Sequence, residues 1–275
     1  MDKVEKWYPP QPRWLGNDFG CEPFDVLNQM LYEAVRSKPS NTDKAEIIGK
    51  LVLIGRTYSA AVERRKTKKA GPDKRQALDV VMEAACAIAI SEVEAMLSAV
   101  DVDDVLTVER IPEAVKLHLE LCHSLKKANQ RNNSSLASKY LHFHRPKFFP
   151  MVDSYVREGW WWVMDSIKLL KSAGAMDAKD SAEYDNRGWS VFGQVVRYGD
   201  WCEKVLSLQA RLKQDLGCSV SLRQVDNYLL SIMSLDGKGG WGLPQLTATG
   251  CHDWSRSCPR QYPLSRNCAT RRELS

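Results

Sequence analysis

Apolar side chains recur at helical spacing through most of the chain between 43 and 235, and no segment alternates convincingly with period two. One series, Ile47, Ile48, Leu51, Val52, Tyr58, Ala61 and Val62, follows Thr42 and Asp43, side chains suited to accept from the free backbone N–H groups that open a helix. It runs into Glu63-Arg-Arg-Lys-Thr-Lys-Lys and stops at Gly71-Pro72, leaving Asp73 to begin a second helix. That helix carries Leu78, Val81, Met82, Ala85, Ile88, Ala89, Val93, Met96 and Leu97 on an amphipathic pattern, which Asp101-Val-Asp-Asp breaks. A third follows Pro112 with Val115, Leu117, Leu121 and Leu125, and a polar turn occupies 128–135. Residues 136–143 read as a short helix ended by Arg145-Pro146, and Asp153 heads another that runs from 154 to about 170. After a polar insertion at 172–187, the stretch 189–216 predicts one or two helices and 221–235 the last. The expected fold class is all-α, with about eight helices and no internal repeat.

The flanks differ from this body. Residues 1–42 are rich in proline and aromatics (Trp7, Tyr8, Pro9, Pro10, Pro12, Trp14, Phe19, Phe24) with one helix-like piece at 25–35, and read as a wrapping arm. Residues 236–275 turn to glycine, proline, serine, arginine and cysteine without helical period, and read as a flexible basic tail. Between them, 43–235 is the expected helical domain.

A hydrophobic content of 44% over 275 residues is enough for a sizeable core and excludes disordered and fibrous classes. The longest clearly apolar run, 84–90, is short of the roughly 18 residues a membrane span needs, and the first residues lack the apolar stretch of a secretory signal. A cytoplasmic protein without a membrane partner is the expectation. Five of the eight cysteines (Cys21, Cys86, Cys122, Cys202, Cys218) stand singly, which favours reduced thiols over a disulfide framework. The net charge of +5 is uneven, because the last 25 residues hold five arginines against Asp253 and Glu273. Such a balance permits a polyanionic partner.

The candidate chemistry lies in 134–157. Lys139 sits early in the short helix with Leu136, Tyr140 and Phe143 as apolar neighbours, which would strip water from its ammonium and favour the free amine as a nucleophile. Asp153 heads the next helix, where backbone N–H groups and the helix dipole favour a carboxylate. Taken singly, the aspartate is also an ordinary helix cap and the lysine an ordinary solvated helix residue.

A lysine on the second helix of a hairpin with an aspartate capping the next helix resembles the helix-hairpin-helix DNA glycosylase superfamily, and within it the 8-oxoguanine-glycosylase-like branch. Val152-Asp153-Ser154-Tyr155-Val156 has the form of that family's carboxylate segment. The resemblance spans roughly 43–235, with its specific part at 134–157. It implies a cleft between two helical subdomains and excision of a damaged or modified base from DNA, including modified bases of foreign or viral DNA. Lys139 and Asp153 would be catalytic, either activating water or forming a Schiff base through Lys139 with strand nicking to follow. An extruded base needs aromatic neighbours, for which His142, Phe143, His144, Tyr155, Trp160 and Trp161 are candidates. Arg56, Arg64, Arg65 and Lys66, with Lys126, Lys127, Arg131, Arg145 and Lys147, form two basic clusters suited to a phosphate backbone.

No cofactor, metal or obligate protein partner is expected. Asp101, Asp103 and Asp104 have no matching ligand spacing, and Cys251, Cys258 and Cys268 with His252 do not complete an iron-sulfur pattern. Two other readings stand beside the enzyme. One is a catalytically inactive helical nucleic-acid-binding module, suggested by the glycine-free hairpin 132–138; the other is a helical protein-interaction domain using its aromatic arm and tryptophan run.

Overall fold

The computed structural model describes residues 23–64, 75–171, 190–191, 194–195 and 197–235. All belong to one compact unit, Met1–Gly240; a second, Trp241–Ser275, lies outside the described residues, as do the expected tail and Arg65 and Lys66.

Nine α-helices occur among the described residues: α1 (Pro23–Ser37), α2 (Lys44–Thr57), α3 (Ala77–Ala89), α4 (Val93–Ser98), α5 (Ile111–Asn129), α6 (Ser134–His144), α7 (Ser154–Val163), α8 (Tyr198–Leu216) and α9 (Leu222–Leu235). The extended pairing among them amounts to two residues against two, β1 (Ser190–Val191) antiparallel to β2 (Gln194–Val195). The protein is all-α, as the periodicity predicts.

Local chemistry sets the helix ends. Asp43 caps α2 by accepting the Glu46 N–H at 3.0 Å, as expected of that residue. The single second helix expected over 73–97 is instead two helices, the first beginning at Ala77. Ser91 breaks it: its hydroxyl donates to Ile88 O at 2.7 Å and accepts the Val93 N–H at 3.3 Å, offering the backbone an alternative to the helical ladder. The helix after Asp153 stops at Val163 and finishes in a 3-10 turn, Met164–Ser166, rather than running to 170. The helix expected within 189–216 starts only at Tyr198. At the N-terminal side, α1 is longer than the 25–35 piece, and its buried Leu31 and Val35 join the same core as α2 and α6.

The core is built around α5, which packs against α3, α4, α6 and α8, while α7 packs mainly against α9, and α1 and α2 lie on α6. Trp201, Tyr140, Tyr228, Phe148 and Phe149 are its largest fully buried side chains after Lys139 is set aside, each removing apolar area from water at about 25 cal/mol per Å². The linker from α6 to α7 is held by this core. Tyr198 donates to Pro150 O at 3.0 Å and the Trp201 indole to Met151 O at 2.7 Å, so α8 fixes the approach to Asp153. No helix among the described residues is long and apolar enough to cross a membrane.

Candidate functional site

Lys139 and Asp153 meet. The Lys139 Nζ donates to Asp153 Oδ2 at 3.0 Å and to Ser135 Oγ, one helical turn back, at 2.8 Å. The neighbouring residues explain the register: the Val152 N–H donates to Ser138 Oγ at 3.0 Å, so a bond between the residues just before the pair brings the pair itself together. Asp153 divides its carboxylate between two tasks. Oδ1 accepts the Val156 N–H at 3.1 Å and caps α7, while Oδ2 faces the lysine. Its role as an N-cap and its pairing with Lys139 are therefore compatible.

The two partners differ in exposure. Lys139 is 1% exposed, whereas 28% of the Asp153 side chain reaches solvent, so the carboxylate is the face a ligand would meet. Burial alone would raise the Asp153 carboxyl, but the charge and hydrogen bond of Lys139 and the N–H groups of Val156 and Tyr155 outweigh it and hold the group below its ordinary range. It is a persistent anion.

Three side chains outside the sequence-based set complete the surroundings. Tyr58, just past α2, places its ring 5.4 Å from Lys139 Nζ, and its hydroxyl donates to Asn28 Oδ1 of α1. Burial pushes the Tyr58 hydroxyl up to about 12, with the charges of Asp226 and Asp153 adding to the rise and Arg223 opposing it. On α9, Asp226 is buried and ion-paired with Arg223; burial raises its carboxyl to about 6, with Arg223 opposing and Asp153 adding to the rise. A legible signal existed for Asn28 and Asp226, since each interrupts an apolar stripe at helical spacing: Leu31 and Val35 follow the first, Leu222, Val225 and Leu229 flank the second.

The expected base-contacting residues separate by burial. His142, Phe143 and His144 are 1%, 3% and 4% exposed and belong to the core. The His142 Nδ1 bonds Phe149 O at 2.8 Å; a carbonyl only accepts, so Nδ1 carries the proton and Nε2 accepts the Tyr32 hydroxyl at 2.6 Å. Phe143 packs against the rings of Tyr32 and Tyr58 at 4.8 and 5.8 Å. Trp160 is buried, Trp161 is half-buried and Tyr155 is exposed on the first turn of α7, beside Asp153.

The basic candidates also divide. Asn129 Nδ2 donates to Val62 O at 2.7 Å, tying the end of the α2 segment, with exposed Arg56 and Arg64, to the α5–α6 turn with Lys126, Lys127 and Arg131. Part of each sequence cluster, Arg56 and Arg64 from the first and Lys126, Lys127 and Arg131 from the second, thus lies on two segments joined before the start of α6. In that turn asparagines serve in place of glycine: the Arg131 and Ser134 N–H groups donate to the side chains of Asn129 and Asn132 at 3.0 and 3.1 Å, and Gln130 takes the left-handed conformation with φ 56°. Arg145 lies elsewhere, its guanidinium donating to Val100, Leu97 and His144 carbonyls as a cap on the end of α4. Lys147 pairs with Asp103 at 2.7 Å, and Arg56 with Glu63 at 2.5 Å.

Buried histidines give the protein a predictable acid response. Burial lowers His118 to about 4 and His142 to about 3, and holds His144 well below its ordinary value of 6.5. Their folded values lie below the unfolded one, so the stability they contribute is present above pH 6.5 and is lost as pH falls toward 4. Asp226 opposes them. Its raised value adds stability below the unfolded carboxyl value near 3.8 and loses it as pH rises through about 6. Three histidines against one aspartate leave a net fall on the order of 2 kcal/mol per pH unit. Melting curves between pH 7 and 4.5 are expected to show a steep drop; a flat profile overturns the assignment of neutral buried histidines.

No family model, curated protein or solved structure matches the chain.

Proposed function

We propose that the chain is a DNA glycosylase that extrudes a damaged or modified base and cleaves its N-glycosidic bond. The observation that carries this reading is the 3.0 Å contact between Lys139 Nζ and Asp153 Oδ2, in which a buried amine and a partly exposed carboxylate come from consecutive helices. Positive charge develops on the deoxyribose as the base leaves with the bonding electron pair, and a carboxylate held ionised is suited to stabilise it. Water then adds at C1′, loses a proton and leaves an abasic site. In the alternative route, Asp153 takes a proton from Lys139, whose nitrogen bonds to C1′ as the base departs with the bonding pair; the C1′–O4′ bond then breaks, O4′ taking a proton, and the resulting iminium permits loss of a C2′ proton and elimination of the 3′ phosphate.

The convergence of Arg56, Arg64, Lys126, Lys127 and Arg131 supports a nucleic-acid partner, because phosphate neutralisation needs cations from more than one segment. A cytoplasmic enzyme of base excision, acting in DNA repair or against modified foreign or viral DNA, is the setting this reading favours.

The test is direct. Purified protein is incubated with DNA from sources that carry different modified bases and then treated with alkali, which breaks strands at abasic sites. Breaks on at least one DNA are expected; none on any DNA removes the enzyme. Borohydride added during turnover is expected to trap a covalent complex with wild type and none with Lys139→Gln. Cleavage without trapping assigns the nucleophile to water.

One observation favours a second reading. Lys139 is almost wholly buried and satisfied by Ser135 and Asp153, as a structural ion pair between α6 and α7 would be. A helical nucleic-acid-binding module of that kind predicts salt-dependent DNA affinity without turnover.

A further inference from the structure

Lys139 Nζ is an ammonium with hydrogens to donate and nothing to accept with, so the Ser135 hydroxyl oxygen, 2.8 Å away, is the acceptor in their bond. A serine that accepts still has its own hydrogen to give, and no group among the described residues takes it. Ser135 is half-buried, and the other side chains around the amine, Asp153 and Tyr58, also keep part of their surface in solvent. A hydroxyl therefore stands beside the ion pair, tied to the amine through its oxygen and free to donate outward. Its place is set by the fold. The Ser138 hydroxyl donates to Ser135 O at 3.1 Å while its oxygen accepts the Val152 N–H at 3.0 Å, so the contact that sets the register of the pair also holds the turn carrying Ser135.

Chemistry at C1′ requires such a group. Once the amine nitrogen has bonded to C1′, the iminium forms only if the nitrogen loses a proton and O4′ gains one as the C1′–O4′ bond breaks. Nitrogen and O4′ are attached to the same carbon, and direct transfer between them passes through a strained four-membered ring. A hydroxyl between them relaxes that ring to six members, taking the N–H proton as it gives its own to O4′. Asp153 is poorly suited to this second transfer. Its Oδ1 is engaged by the Val156 N–H and its Oδ2 takes the first proton from Lys139, whereas a hydroxyl gives and takes at a single atom.

We propose that Ser135 is the general acid that opens the sugar ring, its hydroxyl protonating O4′ while the nitrogen of Lys139 returns a proton to it. This rests on the reading that Lys139 and Asp153 act at C1′ of a deoxyribose. The same step opens an abasic site, which closes on itself as a hemiacetal. Asp153 takes the proton of the C1′ hydroxyl, the C1′–O4′ bond breaks as the C1′ carbonyl forms, and Ser135 gives its proton to O4′ and takes one from the Lys139 ammonium. The amine so released adds to the aldehyde, a proton passing from nitrogen to the new hydroxyl. That hydroxyl leaves as water with the proton held by Asp153, and the iminium results.

The test uses two short duplexes, one with a natural abasic site and one with an acyclic site that lacks the 4′ oxygen, so that its aldehyde has no ring to open. Covalent complex is measured with protein in excess and cyanoborohydride present, which reduces an iminium in preference to an aldehyde. Wild type is expected to trap both sites. Ser135→Ala is expected to trap the natural site about 10²-fold more slowly and the acyclic site within a few-fold of the wild-type rate. Ser135→Thr, which keeps a hydroxyl, is expected to restore most of the rate on the natural site. A serine that only positioned Lys139 would slow both sites alike, so equal slowing overturns the proposal, as does a Ser135→Ala protein with the wild-type rate on the natural site. Failure of wild type to trap the natural site overturns it too. Neither probe carries a base, so excision is judged separately. The expected profile without turnover on any natural DNA defeats the glycosylase and leaves the ring-opening acid in place, while excision with Ser135→Ala unimpaired on both sites does the reverse.

Discussion

Asp153→Asn is expected to reduce base excision by at least about 10³-fold while leaving DNA affinity within about twofold of wild type. The substitution is close to isosteric, and asparagine ranks with aspartate as a helix N-cap, so the Val156 N–H keeps a partner and α7 keeps its start. What disappears is the negative charge facing Lys139 and the site. An interaction that strengthens as the sugar becomes positive lowers the barrier without adding to ground-state binding, which is why the loss falls on rate rather than affinity. The change also strands a buried ammonium, at a cost of about 3 kcal/mol, moderated by the Ser135 hydroxyl and by the exposure of the Asp153 side chain. Rates compared at 25 °C, far below a separately measured melting temperature, separate the two effects. Unimpaired excision by a folded Asp153→Asn protein removes the carboxylate from the mechanism.

Gly159→Ala is expected to destabilise the protein by about 3 kcal/mol or more, lowering the melting temperature by roughly 10 °C. A Cβ at this position would stand 2.3 Å from the Leu229 carbonyl oxygen and 2.9 Å from its carbon, both of them backbone atoms of α9 that no rotamer change can move. The helices α7 and α9 would have to part, although alanine by itself favours a helix by about 1 kcal/mol over glycine. Gly49 supplies the opposite sign from the same chemistry. It is an exposed residue of α2, and an added methyl group there would meet nothing within 4 Å, so Gly49→Ala should raise stability by up to about 1 kcal/mol. Since α7 carries Asp153 at its head, the Gly159 variant should also lose excision activity when it is assayed below its transition. A Gly159→Ala protein as stable as wild type would refute the close approach of the two helices.

Helix identity was legible where local signals agreed. Asp43 before an apolar series predicts the start of α2, and the spacing around Leu117, Leu121 and Leu125 predicts α5, because amphipathic period and capping chemistry act within a few residues. Boundaries set by competing side chains were less legible: Ser91 divides a continuous apolar pattern, and its effect depends on which backbone groups its hydroxyl reaches. The candidate site was legible in its two charged members and not in its environment. Asn28 of α1 and Tyr58 just past α2 are 30 residues apart in the chain, and only packing makes them neighbours. Likewise, His142, Phe143 and His144 adjoin Lys139 in sequence, yet a buried helix turns successive residues in different directions, and all three pack into the core.

The amino-acid sequence by itself determined the helical class, the cap at Asp153 and the presence of an amine and a carboxylate on successive helices, since period, capping and charge are properties of short stretches of chain. The tertiary structure alone decided that this amine is buried, that it touches the carboxylate, and that basic residues from two segments share one end of α6. These are matters of distance between remote segments, set by how α1, α2, α7 and α9 pack, and no local pattern encodes them.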